Sequence, residues 1–247
     1  MANNIIKNKV APLDLVNYIK SFVSLMKPRV MSLVIFTCAV GLLPSNSNTN
    51  IIDAIIGIIL VALGAGAAGS LNMWYEADVD ALMTRTCLRP IPTGKINKDQ
   101  ALIFGIFLTV FSVGALNYFS NFLSAFLLFF TIAFYLFVYT IWLKRKTPQN
   151  IVIGGIAGSL PPVIGWAIAT NSISLASISL FLIIFFWTPS HFWALSLYKV
   201  DDYKKAKIPM MPLTDGTEKT KLYILIYSLL MLPAIILPFA INFSGLI

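Results

Sequence analysis

The sequence has 247 residues, of which 58% are hydrophobic and only 11% charged, with a mean hydropathy of +0.83. These proportions exclude a soluble globular protein and predict an all-α polytopic membrane protein. The net charge of +8 reads as membrane topology together with anion binding, and no nucleic-acid partner is expected.

Taken in chain order, residues 1–23 form an N-terminal segment without a signal-peptide core and without Arg, which argues against secretion and against a mitochondrial transit peptide. Residues 24–247 then read as a single transmembrane domain. Its apolar runs at 24–43, 51–74, 101–119, 122–143, 151–170, 173–198 and 222–246 each approach the ~20 residues that cross a bilayer, which predicts seven spans. Lys7, Lys9, Lys20, Lys27 and Arg29 precede or open the first span, while the 44–50 link has no Lys or Arg. Arg85, Arg89, Lys95 and Lys98 follow the second span, Lys144, Arg145 and Lys146 the fourth, and Lys199, Lys204, Lys205, Lys207, Lys219 and Lys221 the sixth. The turns near Ser120–Asn121 and Asn171 are bare, so all 18 basic residues fall on one side. Because Lys and Arg are retained on the cytoplasmic side of short loops, the N-terminus is expected inside and the C-terminus outside. Cys38 and Cys87 stand in no metal or redox spacing, and no disulfide is expected.

Two links on the basic side are long, 75–100 and 199–221, and chemistry that needs polar side chains belongs there. They share an order: an acidic cluster, a basic residue, and a Pro-containing turn, "RPIPTG" in one and "IPMMPLTDG" in the other. The likeness predicts two half-sites facing each other. In "NMWYEADVD", a helix continuing past the second span would place Asn72, Glu76 and Asp80 on one face over about 12 Å, with Asp78 on the other side. Like charges four apart repel, more so beside a low-dielectric boundary, so a cation is expected among them. Mg²⁺ suits a site of one or two carboxylates completed by water and phosphate oxygens, and the simpler alternative is pairing with Arg85 and Arg89.

The sixth span carries "WTPSHFWALSLYKVDDY", whose periodicity places Thr188, His191, Tyr198 and Asp202 near one helix face. His191 is the one histidine of the chain. An ionisable group inside a membrane span is a candidate functional residue, the alternative being a hydrogen bond to a neighbouring helix. Pro189 is expected to bend the span. Arg85 and Arg89 are suited to grip a diphosphate bidentately, with Lys95 beside them. A diphosphate head in this polar cap would let an attached hydrocarbon tail lie between the spans. Trp74, Tyr75, Tyr135, Tyr139, Trp142, Phe192 and Trp193 lie near the same end, where their faces are suited to a carbocation but where interfacial aromatic belts are also ordinary.

"NMWYEADVDALMTRTCLRPIPTG" resembles the first motif of the UbiA superfamily of intramembrane prenyltransferases. "MKPRVMSLVIFT", "LKRKTPQNIVIGGIAGSLPPVIGWA" and "HFWALSLYKVDDYKKAKIPMMP" are similar to its protohaem IX farnesyltransferase (haem O synthase) branch, the likeness running over about residues 24–220. The resemblance implies a UbiA-type helical bundle in the bacterial inner membrane. It also implies Mg²⁺-dependent transfer of farnesyl from farnesyl diphosphate to a vinyl group of protohaem IX, water completing the addition. Asn72, Glu76, Asp78, Asp80, Asp201 and Asp202 would then hold Mg²⁺, and Arg85, Arg89 and Lys95 the diphosphate. Asp80, Asp202 and His191 would serve catalysis. His191, Lys27, Arg29, Lys144, Arg145 and Lys146 would meet the haem, and a haem A synthase or terminal-oxidase assembly would be the downstream partner. The sequence departs from the family pattern with Glu76 in place of Asp, a second motif compressed into adjacent aspartates, and seven spans where nine are usual, as if two C-terminal helices were absent. Two alternatives remain beside this one: an aromatic-acceptor prenyltransferase of quinone biosynthesis, and a transporter or channel with an acidic metal site.

Overall fold

The computed structural model describes residues 14–45 and 49–243. Lys7, Lys9 and the last residues expected in the seventh span lie outside them. The described residues form helices joined by turns, with no strand among them, and seven helical stretches are long and apolar enough to cross a membrane. In order these are helix α2 (Pro28–Leu42, extended by a 3₁₀ turn to Ser45), α3 (Ile51–Tyr75), α5 (Lys98–Phe119), α6 (Phe122–Ala133) continuing as a π-helix (Phe134–Leu143), the pair α7 (Asn150–Ser159) and α8 (Pro161–Thr170), α9 (Leu175–Leu197) and α12 (Gly216–Ala240). Shorter helices lie between them: α1 (Leu15–Leu25), α4 (Ala77–Leu82), α10 (Val200–Lys205) and α11 (Met211–Thr214).

Local chemistry sets the boundaries. Asn50, Asn97, Asn121 and Ser174 cap α3, α5, α6 and α9 by accepting backbone N–H groups, and Asn97 and Ser174 complete reciprocal capping boxes with Gln100 and Ser177. Asn171 closes α8 in the left-handed region at φ 49°. The first span begins at Pro28 rather than 24, because α1 is a separate helix. Lys27 takes a left-handed conformation at φ 54° between the two, and proline cannot continue the hydrogen bonding of the helix before it. The fifth span is two helices, parted at Leu160 ahead of Pro161 and Pro162. The seventh starts at Gly216, six residues before its apolar run, since its first turns are polar. Pro189 sits inside α9 without ending it.

The core runs along α3, whose Leu60, Val61 and Leu71 pack with Cys38, Leu128 and Ile164. Helices α2 and α8 cross with their backbones in contact: a Cβ on Gly41 would strike the carbonyl of Pro162, and one on Gly165 the carbonyl of Cys38. Close helix approach through small residues is how apolar helices associate where there is no hydrophobic drive between them. At one end of the bundle Thr49 donates to the carbonyl of Ala169 and Asn121 to that of Ala167 (2.8 Å), tying the links without Lys or Arg together. The long basic links meet at the other end.

Candidate active site

Helix α3 ends at Tyr75 and α4 begins at Ala77, yet the ladder runs through the break. Glu76 N–H donates to Asn72 O (2.9 Å) and Asp80 N–H to Glu76 O (2.8 Å), so the expected shared face survives. Asn72, Glu76 and Asp80 are 1–2% exposed. Asp78 points away and is exposed.

Each acid is met by a cation from another element. The Lys144 ammonium lies 2.6 Å from Glu76 Oε2, and Arg89 Nη1 donates to both oxygens of Asp80 at 2.8 and 2.7 Å. Arg145 forms a two-pronged pair with Asp78 at 2.9 and 2.8 Å, a geometry matched to a carboxylate. Lys27 donates to Asn72 Oδ1, whose amide nitrogen donates to Thr140 Oγ1 at 3.1 Å. The pairing anticipated from Arg85 and Arg89 is therefore half present. Arg85 is exposed and makes no hydrogen bond or ion pair among the described residues. Burial, reinforced by the Arg89 guanidinium, pulls the Lys27 ammonium down to about 7.

Thr140 and Lys144 reach α3 because residues 134–143 are a π-helix. Its wider turn is visible in Lys144 N–H donating to Tyr139 O (2.9 Å) and Thr140 Oγ1 to Tyr135 O (2.8 Å), five residues back in each case. Asn72 pairs with Thr140 and Glu76 with Lys144, so two parallel faces match residue for residue. π-Turns are rare and frequent at functional sites. No sequence signal pointed to this one, nor to Thr140. Tyr139 lies between the Lys144 ammonium, 5.8 Å from its ring centre, and Gly154, where any Cβ would run into the ring.

The second link joins the first through Thr84. Its hydroxyl lies 2.9 and 2.7 Å from the two oxygens of Asp202, and its N–H is 3.4 Å from one of them. Asp202 is 7% exposed, whereas Asp201 faces out. The Thr84 hydroxyl holds the Asp202 carboxyl below the usual range. The two acidic links thus meet on one face of the molecule, as their shared order predicts, and Thr84 was missed because a lone threonine carries no pattern.

The shared face expected for Thr188, His191, Tyr198 and Asp202 does not form. Helix α9 stops at Leu197, and Asp202 belongs to α10 after a turn at Tyr198–Lys199. Tyr198 is 85% exposed and Thr188 buried. His191 is half-buried, stacked on Trp187 with ring centres 4.3 Å apart and edge-on to Phe192 at 5.4 Å. Trp193 is fully buried against Tyr223 and Tyr227, in one apolar cluster with Val79 and Met83 of the first acidic link. Arg29 and Lys146 are exposed. Lys95 is exposed as well and lines a cavity beside α1 rather than touching the acids.

Among the described residues no three His, Cys, Asp or Glu side chains are gathered so as to hold a metal by themselves. The donor set still fits Mg²⁺, which takes one or two carboxylates and completes its shell with water and phosphate oxygens. The lysine and arginine atoms now on Glu76 and Asp80 show that these oxygens demand positive charge.

The sequence profile of the UbiA prenyltransferase family matches residues 33–247. A protoheme IX farnesyltransferase of Pelagibacter ubique is 71% identical over all of this chain and 82% of its own length. A protoheme IX farnesyltransferase 2 of Mesorhizobium japonicum is 56% identical over 90% of this chain and 71% of its own. Among solved structures, a digeranylgeranylglyceryl phosphate synthase superposes with a TM-score of 0.76 at 17% identity, covering 93% of this chain and 80% of that one. A UbiA homolog from Archaeoglobus fulgidus bound to GPP and Mg²⁺ superposes with a TM-score of 0.75 at 19% identity, covering 92% and 80%. The structural likenesses carry the fold, and the profile match with the sequence identities carries the lineage: the chain belongs to the UbiA prenyltransferase family.

Proposed function

We propose that this chain transfers the farnesyl group of farnesyl diphosphate to a vinyl group of protohaem IX, with its active site on the cytoplasmic side of a bacterial inner membrane. The observation that supports this best is the buried face of Asn72, Glu76 and Asp80 at the mouth of the bundle, charge-balanced by Lys144 and Arg89 and joined through Thr84 to Asp202. The names borne by the relatives above supply the acceptor.

Glu76, Asp80, Asp202 and the Asn72 amide oxygen would hold Mg²⁺, with Asp78 and Asp201, both outward-facing, left out of the shell. An ion held by these residues would supply positive charge to neutralise the departing diphosphate. Arg89 and Lys144 sit on the same carboxylates and supply further positive charge to the diphosphate oxygens, and Arg85 joins them from the surface. Loss of diphosphate breaks the allylic C–O bond and leaves a farnesyl cation. Of the aromatic rings near this end, Tyr139 and Tyr75 are set against the charged cluster, 5.8 Å from the Lys144 ammonium and 5.1 Å from the Arg145 guanidinium, and such a face would lower the energy of that cation by ~0.5–2 kcal/mol. The vinyl carbon then forms the new C–C bond, and water adds to the resulting cation with release of a proton. His191, half-buried near the end of α9 that leads to Asp202, is assigned to the haem, as a ligand or a proton acceptor.

The test is direct. Purified protein in lipid nanodiscs, given Mg²⁺, farnesyl diphosphate and protohaem, is expected to form a heavier and less polar haem on chromatography, and chelation of Mg²⁺ is expected to stop it. Prenylation of a hydroxybenzoate with no haem product would overturn the assignment.

A further inference from the structure

Helix α1 is 11 residues long, about 16 Å at 1.5 Å per residue, half of what crosses a bilayer. At 100° per residue its side chains fall into three stripes. Tyr18, Phe22 and Leu25 face the bundle: Phe22 meets Phe104 edge-on at 5.0 Å, Gln100 Nε2 donates to the Tyr18 hydroxyl at 2.8 Å, and Leu25 is fully buried against Met73 and Ala101. These contacts fix the depth of α1. It lies across the end of α3 and the start of α5, where acyl chains give way to headgroups.

A second stripe, Leu15, Val16, Ile19 and Val23, is 48–69% exposed and leads into the exposed apolar face of α2 at Val30 and Leu33. The third stripe, Asn17, Lys20, Ser21 and Ser24, lines a cavity of about 420 Å³ with Lys95 on its far side. Neither Lys20 nor Lys95 has a hydrogen-bond or ion-pair partner for its ammonium group among the described residues. Two unpaired cations and two serines therefore surround a space at headgroup depth, beside a stripe suited to acyl chains.

We propose that α1 lies in the membrane interface as an anchor and that the cavity between Lys20 and Lys95 holds the headgroup of an anionic phospholipid. One molecule satisfies both features, its phosphate between the lysines and its chains along Leu15, Ile19 and Val23. A zwitterionic lipid brings its own cation toward the lysines and is held less well. Free phosphate would leave the apolar stripe uncovered. Because α1 runs into Lys27, which donates to Asn72, the lipid also steadies the approach to the acidic cluster.

The experiment uses the full chain, delipidated in detergent and titrated by native mass spectrometry with phosphatidylglycerol, phosphatidylcholine and inorganic phosphate. Phosphatidylglycerol is expected to bind at least about fivefold more tightly than phosphatidylcholine, and Lys20→Gln to remove about that factor, the attraction of one lysine for an anionic headgroup. Lys20→Arg is expected to keep the preference, and Ile19→Asn to weaken both lipids alike. Equal affinity for the two lipids, an unchanged preference in Lys20→Gln, or saturation by phosphate as readily as by phosphatidylglycerol would overturn the proposal. Far-ultraviolet circular dichroism of each variant separates these results from loss of the fold.

Discussion

Asp80 carries two partnerships that a carboxamide would split. Its oxygens receive Arg89, and in the proposed reaction they would hold Mg²⁺. Asp80→Asn keeps the size and one acceptor for Arg89, so the chain should still insert, while the metal loses a charged ligand. Turnover is expected to fall by more than the about 10–100-fold that follows loss of a supporting contact, and a variant with normal rates in the haem assay would remove Asp80 from the metal site. Thr84 is such a supporting contact for Asp202. With its carboxyl below the usual range, Asp202 stays ionised as pH falls toward its folded pKa, and ligation that needs the carboxylate is lost only below that point. Thr84→Ala removes the hydroxyl, lets the carboxyl rise toward its ordinary value and moves the acid limb of the activity profile to higher pH. Thr84→Ser should leave the limb in place. Coincident limbs for the alanine variant and the parent would mean that Thr84 does not position Asp202.

At the scale of elements, composition and spacing foretold most of what is seen, and the exceptions have identifiable causes. Seven apolar runs became seven crossing stretches because burial of a ~20-residue apolar helix in lipid leaves little choice. The i, i+4, i+8 face of Asn72, Glu76 and Asp80 held because Glu76 keeps its place in the hydrogen-bond ladder although the helix is broken there. The π-helix at 134–143 was invisible because one extra residue per turn changes no side-chain pattern in a uniformly apolar run. Helix α1 went unread because its apolar positions are too few to resemble a span. The α2–α8 crossing offers a prediction of its own. Gly41 meets backbone, not a side chain that can rotate away, so Gly41→Ala must push the two helices apart. It is expected to cost about 1–3 kcal/mol, the range for overpacking, and to lower the midpoint of thermal unfolding in detergent. Gly114→Ala, at a glycine whose Cβ would meet nothing within 4 Å, serves as the control. Equal midpoints for the two variants would show that the crossing yields.

For the whole molecule, the distribution of charge was the most legible property of the sequence and is the one on which the proposed function most depends. Every described Lys and Arg lies at the bundle end where Asn72, Glu76, Asp80 and Asp202 are gathered, and the links 44–50, 120–121 and 171–174 carry none. Retention of positive charge on the cytoplasmic side, if it governs this chain as proposed, would place the acids, the cations and the α1 cavity in contact with that one compartment. What charge alternation did not reveal was how the acids are balanced by the cations of neighbouring elements. That depends on which cation reaches which carboxylate, a matter of register between spans 68 residues apart in sequence. The sidedness itself can be measured. With Cys87→Ser in the background and Cys38 fully buried and silent, single cysteines are placed at exposed Ser172 and exposed Lys205. In right-side-out vesicles a membrane-impermeant maleimide is expected to label Ser172→Cys at once and Lys205→Cys only after permeabilisation. The reverse order would turn the acidic face away from the compartment in which this reading places the reaction, and labelling of both from one side would break the seven-span alternation from which the site was first inferred.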